Sequence, residues 1–284
     1  MSSICILTDS TVQFLRPAFP GHQLVNIIQL QTWLGNKPGG ENLKTGDLPA
    51  YAQNGNAPKL INPDVEQLRQ QFINLGSHYN EILAIFVSSH LNPIYTLAQQ
   101  AAISVKGRVA VQVIDTQTTS IGLGFLVQLA AQAAINNGNS IQIERLLRGA
   151  IPHIYSLFCI PTLSYLYYSG FIDHAQSVVG EILGMLPLFS LEEGHLTSVE
   201  KARNLRHLGD YFQEFLDEFY DLTHISLIQS VPAMAHEGRT LREHALANFP
   251  GTPFSEHPIG LSLATIFGPR SLGVFVIETP ESRY

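Results

Sequence analysis

Two asparagine-proline pairs, Asn62-Pro63 and Asn92-Pro93, lie where an apolar strand-like run gives way to a helical pattern. Asparagine is favoured as the N-cap of a helix and proline as its first residue. The free N–H groups of a helix N-terminus attract an anion, but an asparagine cap occupies one donor and a proline removes another. The pairs therefore predict either two capped helices and nothing more, or two amides that donate to the polar end of a ligand.

Hydroxyl and carboxyl groups follow three predicted strands. Thr8-Asp9-Ser10-Thr11 comes after the first strand, Ser88-Ser89 after a mid-chain strand, and Asp115 with several threonines after the next. Open α/β sheets bind ligands at the carboxyl ends of their strands. We therefore expect a polar site at this edge, with the alternative that these side chains only bond to their own loops. Gly268-Pro269-Arg270-Ser271 is either part of a site or only a tight connection.

No catalytic pattern is complete in the sequence. Ser89 and His90 are adjacent, and neighbouring residues of an extended segment point to opposite faces. A Gly-x-Ser-x-Gly elbow is absent, Gly122-Leu123-Gly124 lacks the third glycine of a dinucleotide-binding loop, and no cysteines or histidines have zinc-site spacing. We expect a non-catalytic protein without metal or cofactor, and keep an unrecognised enzyme as an alternative.

The first half of the chain alternates short apolar runs with helical patterns. Val65, Leu68, Phe72 and Leu75 recur at the spacing of an amphipathic helix. Ser120–Ile135 is apolar nearly all round, which indicates a helix buried on most faces. Strands separated by helices predict a parallel sheet between two helical layers. The predicted strands are Ile4–Leu7, Leu24–Leu30, Glu81–Val87 and Val109–Ile114.

The second half has a different pattern. Two strands flank the turn Glu192-Glu193-Gly194, and an apolar helical stripe runs from Ala202 to Phe219. These patterns predict a mixed sheet with helices on one face. We place the boundary near residue 152, which gives domains over 1–152 and 153–284. The predicted strands are Ile154–Ile160, Leu186–Leu191, His195–Val199, Ile225–Gln229, Ile259–Ile266 and Gly273–Ile277.

The composition excludes several classes of protein. With 14% charged and 45% hydrophobic residues, the 284-residue chain is not disordered and can bury a large core. A formal net charge of −7 without a run of Lys or Arg argues against nucleic acid and against docking on an anionic membrane. No window approaches about 18 uninterrupted apolar residues, so we expect no membrane insertion.

The N-terminus and the cysteines bear on the cellular compartment. Met1–Ile4 lacks the basic and then apolar stretch of a signal peptide. Cys5 and Cys159 each lie inside an apolar, strand-like run, which predicts two buried free thiols rather than a disulfide. We therefore expect a cytoplasmic protein.

Several fragments, in their order and spacing, resemble the DegV family of fatty-acid-binding proteins over essentially the whole chain. The matching fragments are Thr8-Asp9-Ser10-Thr11, Ser88-Ser89-x-Leu91 with Tyr95, Asp115 followed by Ser120-x-Gly122-x-Gly124, Leu163-Ser164-Tyr165-Leu166 with Gly170 and Ile172, Lys201 with Arg203, and Gly268-Pro269 with Leu272-Gly273. The resemblance implies a two-domain α/β fold, with an N-terminal three-layer parallel sheet and a smaller C-terminal mixed sheet. It also implies one fatty acid in a tunnel between the domains.

The sequence departs from the family where the resemblance implies contacts with the carboxylate. The family has a Thr-Ser-Gln-Pro segment, a Ser-Gly pair and a histidine there, whereas this chain has Leu60-Ile61-Asn62-Pro63, Asn92-Pro93 and Ile266. Some members present their fatty acid to a fatty acid kinase, with an arginine implicated in docking. Phe171 stands at that position and replaces neither the charge nor the donors of arginine, which argues against this partner here.

We therefore expect a lipid-binding protein that keeps the tunnel and alters its polar end. The expected ligand is a long-chain lipid with a neutral head, or a fatty acid bound in a different register through Asn62 and Asn92. A second hypothesis is a ligandless scaffold or interaction protein that kept only the fold. The predicted polar contacts are Thr8, Asn62, Ser88, Ser89, Asn92 and Ser120. The predicted apolar contacts are Leu60, Ile61, Ile94, Ile266 and Phe267 beside Gly268, with Phe158, Leu163 and Leu166 along the tunnel.

Overall fold

The computed structural model describes residues 4–40 and 42–279, so residues 1–3, where we expected no secretion signal, lie outside the described part. The strands are β1 (Ile4–Asp9), β2 (Val25–Ile28), β3 (Gln31–Leu34), β4 (Lys37–Pro38), β5 (Pro58–Ile61), β6 (Glu81–Phe86), β7 (Ala110–Asp115), β8 (Ile154–Cys159), β9 (Leu186–Glu192), β10 (His195–Ala202), β11 (Leu222–Gln229), β12 (Phe254–Pro258) and β13 (Leu272–Glu278). The helices are α1 (Val65–Gly76), α2 (Ile94–Ser104), α3 (Ser120–Ile135), α4 (Ser140–Ala150), α5 (Leu163–Tyr168), α6 (His174–Ile182), α7 (Leu205–Asp217), α8 (Ala235–Asn248) and α9 (Leu261–Phe267).

The chain divides into two compact units. Unit 1 comprises Met1–Leu30, Asn62–Pro152 and Glu193–His195, and unit 2 comprises Gln31–Ile61, His153–Glu192 and Leu196–Tyr284. The predicted boundary near residue 152 coincides with a change of unit. Residues 31–61, which we assigned to the first domain, belong to unit 2 because β3 and β5 contact α9. Unit 2 is therefore the larger unit and not the smaller one.

Unit 1 contains a parallel four-stranded sheet in the order β2-β1-β6-β7. All six residues of β1 are buried, as expected for a strand covered on both faces. Helices α1 and α2 pack together and contact β6, whereas α3 packs with α4 and contacts β1. The predicted parallel sheet between helical layers is confirmed, and its strands end at one polar edge.

Helix α3 is buried on most faces, as its nearly uniform apolar composition predicts. Nine of its sixteen residues are buried, and only Ile135 at its end is exposed. Gly124 lies where a Cβ atom would overlap the carbonyl oxygen of Gln13. The glycine therefore allows α3 to approach the loop that follows β1, and this approach brings Ser120 to the same loop.

Unit 2 contains a six-stranded mixed sheet and a small antiparallel sheet. The larger sheet has the order β10-β9-β8-β13-β11-β12, and the smaller has the order β4-β3-β5. Strands β11 and β12 run parallel, whereas β13 is antiparallel to both β8 and β11. The predicted mixed sheet is confirmed.

Helices cover both faces of the large sheet, and the expectation of helices on one face is wrong. Leu157 and Cys159 share a core cluster with Phe212 of α7. Successive strand residues point to opposite faces, so Phe158 lies on the other side. Its ring packs against Phe267 of α9 at a centroid distance of 5.1 Å.

One predicted strand of unit 2 is a helix. Ile259–Ile266 was expected to be a strand, but Leu261–Phe267 forms α9 and the missing strand is β12, directly before it. Six of the seven residues of α9 are buried, so the helix has no polar face to produce a helical period. Strand β12 carries exposed and half-buried polar residues at the edge of the sheet, which hid it from the hydrophobic pattern.

The two cysteines are buried and free, as predicted. Burial raises the pKa of Cys5 to about 11, partly offset by a hydrogen bond from Asn26, and burial raises the pKa of Cys159 to about 12. Across residues 4–40 and 42–279, no helix has the length and apolar character needed to cross a membrane.

Candidate functional site

Asp9 ends β1 at the polar edge of unit 1, and its carboxylate is fully engaged. Oδ1 accepts hydrogen bonds from the backbone N–H of Thr11 (2.9 Å) and from its hydroxyl (2.6 Å), and Oδ2 accepts from Val87 N–H (2.9 Å). Burial raises the pKa of Asp9, and these hydrogen bonds offset part of the rise. Asp9 therefore ties the end of β1 to the end of β6.

Asp115 has a similar role at the end of β7. Ser89 N–H lies 3.2 and 3.3 Å from its two carboxylate oxygens, and Gln117 N–H donates to Oδ1 at 3.0 Å. The loops after β6 and β7 are thus held by a shared carboxylate. Both carboxylates at this edge accept hydrogen bonds from loop backbone and so fix the loop conformations. This fits the alternative that polar loop residues bond only to their own loops.

Hydroxyl groups at the same edge are only partly engaged. Ser88 Oγ donates to the carbonyl oxygen of Gly194 (2.8 Å), and Ser120 Oγ donates to Gln13 Oε1 (2.7 Å). Thr8 and Thr119 are completely buried, and their hydroxyl oxygens have no hydrogen-bond partner within the described residues. Because buried polar groups are nearly always paired, these hydroxyls mark free hydrogen-bonding capacity in unit 1.

The two asparagines differ in their surroundings. Asn92 Oδ1 accepts from Ile94 N–H at 2.9 Å, but the N-cap of α2 is Pro93, so the prediction of Asn92 as the N-cap and Pro93 as the first helical residue is wrong by one position. Asn62 is not the N-cap that we expected, because Asp64 accepts from Gln67 N–H (2.7 Å) and caps α1. The Asn62 Oδ1 atom is buried without a partner within the described residues. Of the two amides, Asn62 keeps the free acceptor.

The turn before β13 is shaped by Tyr165 in unit 2. Gly268 has φ of 90°, and a Cβ atom there would lie 3.0 Å from the Tyr165 ring. The Tyr165 hydroxyl donates to the carbonyl oxygen of Pro49 (2.6 Å), and burial raises its pKa well above the usual value. Only glycine combines this backbone angle with the close ring, so Gly268 has a structural role.

The predicted contact residues divide between the two units. Thr8, Asn62, Ser88, Ser89, Asn92, Ile94 and Ser120 are in unit 1, and Leu60, Ile61, Phe158, Leu163, Leu166, Ile266, Phe267 and Gly268 are in unit 2. Phe158, Leu166 and Phe267 are buried core residues, and Ile61 is 37% exposed. A tunnel between the domains stays a prediction.

Unit 2 contains a pocket of about 300 Å³ bounded by α5, α6, β9 and β10. Its apolar lining residues are Leu163, Ile172, Val179, Leu183, Met185, Pro187 and Phe189, with Gly180 among them. Its polar lining residues are Gln176, Ser198 and Lys201. The volume is at the lower end of the range for small-molecule sites, and the apolar lining with few polar groups is typical of them.

Of the residues in this pocket, sequence reasoning anticipated Leu163 alone. Helix α6 carried the signal that we missed. Val178, Val179 and Ile182 lie on this helix and Leu183 directly follows it, and all four are at least 40% exposed. A helix with more apolar surface than its core needs indicates a ligand or partner surface.

The described residues contain no group of three or more His, Cys, Asp or Glu side chains that could hold a metal ion. The pocket lining includes no carboxylate or imidazole. The arrangement is suited to holding an apolar molecule with a polar end.

Known proteins match the chain over nearly its whole length. A family model described as "Uncharacterised protein, DegV family" matches residues 3–279. The chain belongs to the DegV family. A DegV domain-containing protein of Caldanaerobacter subterraneus is 25% identical over 289 residues, covering 98% of this chain and 100% of that protein. One from Deinococcus radiodurans is 26% identical over 280 residues, covering 96% and 97%.

Solved DegV structures share the fold. A fatty acid binding DegV family protein from Streptococcus agalactiae has a TM-score of 0.84 at 19% identity, over 98% of this chain and 100% of that one. A DegV family protein from Thermus thermophilus, described for its fatty acid binding, has 0.80 at 22% over 98% and 100%. One from Eubacterium eligens, loaded with heptadecanoic acid, has 0.79 at 14% over 97% and 100%. The predicted family and fold class are confirmed.

Proposed function

We propose that this DegV family protein binds one long-chain lipid, either a fatty acid or a related apolar molecule, and does not transform it. The pocket of unit 2 carries the proposal, because its lining is apolar apart from three residues. The DegV proteins of similar fold that are described as fatty acid binding, or that were loaded with a fatty acid, support the same ligand class.

Burial of the lipid chain supplies the driving force. Each methylene removed from water contributes about 0.8 kcal/mol, so ten contribute about 8 kcal/mol. Association costs at least about 4 kcal/mol in lost freedom of motion. The chain therefore supports binding even where the head makes few contacts, which fits the apolar residues Leu60, Ile61 and Ile266 at the positions the family uses for a carboxylate.

A non-catalytic role is supported by the state of the polar edge in unit 1. The carboxylate oxygens of Asp9 and Asp115 accept hydrogen bonds from backbone N–H groups, so neither residue is placed as a general base. The free hydroxyls of Thr8 and Thr119 have no hydrogen-bonded base within the described residues that would activate them.

We do not propose a fatty acid kinase as a partner. Phe171 follows the end of α5, where its N–H donates to the carbonyl oxygen of Leu166 (2.9 Å), and its side chain offers no charge for docking. Acyl phosphate formation by a fatty acid kinase supplied with this protein as carrier would contradict this view. We propose the cytoplasm as the compartment, on the support of the two free thiols.

The bound molecule can be identified directly. The purified protein is extracted with organic solvent, and the extract is compared by mass spectrometry with that of a mock purification. We expect one lipid per protein. If nothing is bound and no lipid is taken up on later addition, the ligandless scaffold replaces this proposal.

Filling the pocket provides the matched test. Val179 lines the pocket and is 55% exposed, whereas Val178 is 40% exposed and lies outside the lining. Val179→Trp should displace at least two methylenes of the lipid and weaken binding about 10-fold or more. Val178→Trp should leave the affinity unchanged. Equal affinities of the two variants in a fluorescent fatty acid titration would place the ligand elsewhere.

A further inference from the structure

Unit 2 has a second cavity, on the other face of β9 from the pocket proposed for the lipid. Leu188, Ser190 and Glu192 of β9 line this groove. Pro187 and Phe189 of the same strand line the lipid pocket. Because successive strand residues point to opposite faces, the two cavities are separate sites. The groove has a volume of about 270 Å³ and is bounded by α7 and by strands β8, β9 and β10.

The floor of the groove is apolar, and its aromatic rings are held in place. Leu157 and Leu188 are buried in it, and Tyr211 and Phe215 of α7 are half-buried along its side. The Phe215 ring packs edge-on against that of Phe219 at a centroid distance of 5.3 Å. Rings fixed by such contacts lose little freedom when a ligand covers them. The floor therefore suits an aliphatic stem or a planar cation, which aromatic rings attract.

The charged residues of the groove lining are all acidic. They are Glu192, Glu200, Glu214 and Glu218, and all four are exposed. None of them forms an ion pair within residues 4–40 and 42–279. The groove thus combines an apolar floor with uncompensated negative charge, and a positively charged occupant with apolar parts complements both.

Two of these carboxylates are placed where they destabilise α7. Glu214 and Glu218 are four residues apart, and like charges at this spacing destabilise a helix. Both also lie at the C-terminal end of α7, where the helix dipole disfavours negative charge, and the last turn has no basic residue. A cation bound beside them would relieve both penalties. An arrangement that costs stability is expected of a surface that serves binding.

The spread of the carboxylates indicates which cation fits. The described residues contain no group of three or more His, Cys, Asp or Glu side chains that could hold a metal ion, so the four glutamates do not converge on one point. Several cations along one segment match this spread. Arginine joins an aliphatic stem to a planar cation that pairs with carboxylates and stacks on rings. A second copy of this chain carries the same net charge of −7 and is repelled on approach.

We propose that this groove docks a partner protein by binding a short arginine-rich segment of that partner. The guanidinium groups pair with the four carboxylates, and the stems of the arginines cover the apolar floor. The docking site does not depend on the proposed lipid binding. Because the two cavities are separate, lipid and partner can be bound at the same time.

A synthetic peptide tests the docking site. A fluorescein-labelled peptide in which three arginines alternate with leucines is titrated into the full-length protein. Its citrulline analogue has nearly the same shape without the charge. The arginine peptide should bind, more weakly as the salt concentration rises, and the citrulline peptide should bind at least about 10-fold more weakly. No binding of the arginine peptide, or equal binding of both peptides, would overturn the proposal.

Paired charge removals separate the groove from the net charge. One variant carries Glu214→Gln and Glu218→Gln, and its control carries Glu237→Gln and Glu243→Gln on α8, outside the groove lining. The first should bind the arginine peptide about 3- to 10-fold more weakly and unfold at a higher temperature, which a merely structural role of these glutamates would not produce. The control should bind like the wild type. Equal losses of affinity in both would rule out the groove.

An added cation gives an independent test. Val199 lines the groove and is 44% exposed, whereas Val178 of α6 is 40% exposed and lies outside it. Val199→Lys places an ammonium group among the carboxylates and should weaken binding of the arginine peptide about 10-fold. Val178→Lys adds the same charge elsewhere and should leave the affinity unchanged. Equal affinities of these two variants, both checked to be folded by thermal unfolding, would contradict docking in the groove.

Discussion

The buried polar side chains of unit 1 fall into two sets. Asp9 and Asp115 accept several hydrogen bonds from loop backbone and so stabilise the polar edge. The hydroxyls of Thr8 and Thr119 and the Asn62 carbonyl oxygen lack partners within the described residues. Asp9 and Asp115 are the titratable residues of this edge, yet their carboxylate oxygens already accept hydrogen bonds from the loops. They therefore have the least hydrogen-bonding capacity left for a ligand.

Asp9 gives a testable pH dependence. Burial raises the pKa of Asp9 above the ordinary value that it has in the unfolded chain. As the pH rises between these two values, the unfolded state loses its proton first and is favoured. The contribution of Asp9 to the free energy of unfolding is therefore full at low pH and is lost as the pH rises through the folded pKa.

The measurement uses a variant that cannot titrate. Urea unfolding of the wild type and Asp9→Asn is followed over a series of pH values. The wild-type minus variant free energy of unfolding should fall with rising pH and then level off. Asp210→Asn, at an exposed carboxylate of α7, should not reproduce this course. A difference that is flat or rises with pH would contradict the raised pKa.

Helix α6 is weakly anchored for an element that walls a pocket. Of its nine residues, all of which are described, only Ser177 is buried. A capping box holds its start, because Asp173 accepts from Gln176 N–H (2.8 Å) and Gln176 accepts from Asp173 N–H (3.0 Å). Helices with few buried contacts open locally at low cost, so the cap has a large share in keeping the pocket wall formed.

Removing this cap should affect lipid binding as well as stability. Asp173→Ala should cost about 1 kcal/mol of helix stability, speed amide hydrogen exchange in residues 174–182, and weaken lipid binding. Asp64→Ala removes the equivalent capping box of α1 in unit 1. It should cost about the same in stability and leave the affinity for lipid unchanged. Equal effects of the two substitutions on affinity would remove α6 from the site.

Two kinds of element could be predicted from the sequence. They are helices whose two faces differ in polarity, and strands that alternate along the chain with such helices. Strands β1, β6 and β7 and helix α7 lie where the periodicity placed them. Helix α9 was mistaken for a strand because it is buried all round and has no polar face. The periodicity of a short apolar run does not distinguish a buried helix from a buried strand.

The pocket was harder to predict than the polar edge. The polar edge follows from one rule, that parallel strands end together, so Thr8, Ser88 and Asp115 could be grouped from the sequence. The pocket lining comes from four consecutive elements of unit 2, between Leu163 and Lys201, and no single rule of sequence pattern shows that their side chains enclose a cavity. Lys201 gave a sequence signal only as part of a family fragment, and nothing there indicated a ligand.

Each unit carries one buried thiol on a strand of its sheet structure. Cys5 lies on β1 of unit 1, and Cys159 lies on β8 of unit 2. Burial raises the pKa of Cys5 to about 11 and that of Cys159 to about 12, so little thiolate is present in the folded protein at pH 8. Alkylation of each cysteine therefore reports the opening of the unit that contains it.

A lipid held within unit 2 should protect the two thiols unequally. A ligand at 100 times its Kd stabilises the state that binds it by about 2.7 kcal/mol, or about 100-fold. With lipid at that level, alkylation of Cys159 should slow by about this factor, and alkylation of Cys5 should slow far less. Peptide mapping by mass spectrometry measures both rates in one sample. At the same lipid concentration, Val179→Trp should reduce the protection of Cys159 from about 100-fold to about 10-fold or less. Equal protection of both thiols would contradict a ligand that stabilises unit 2 alone.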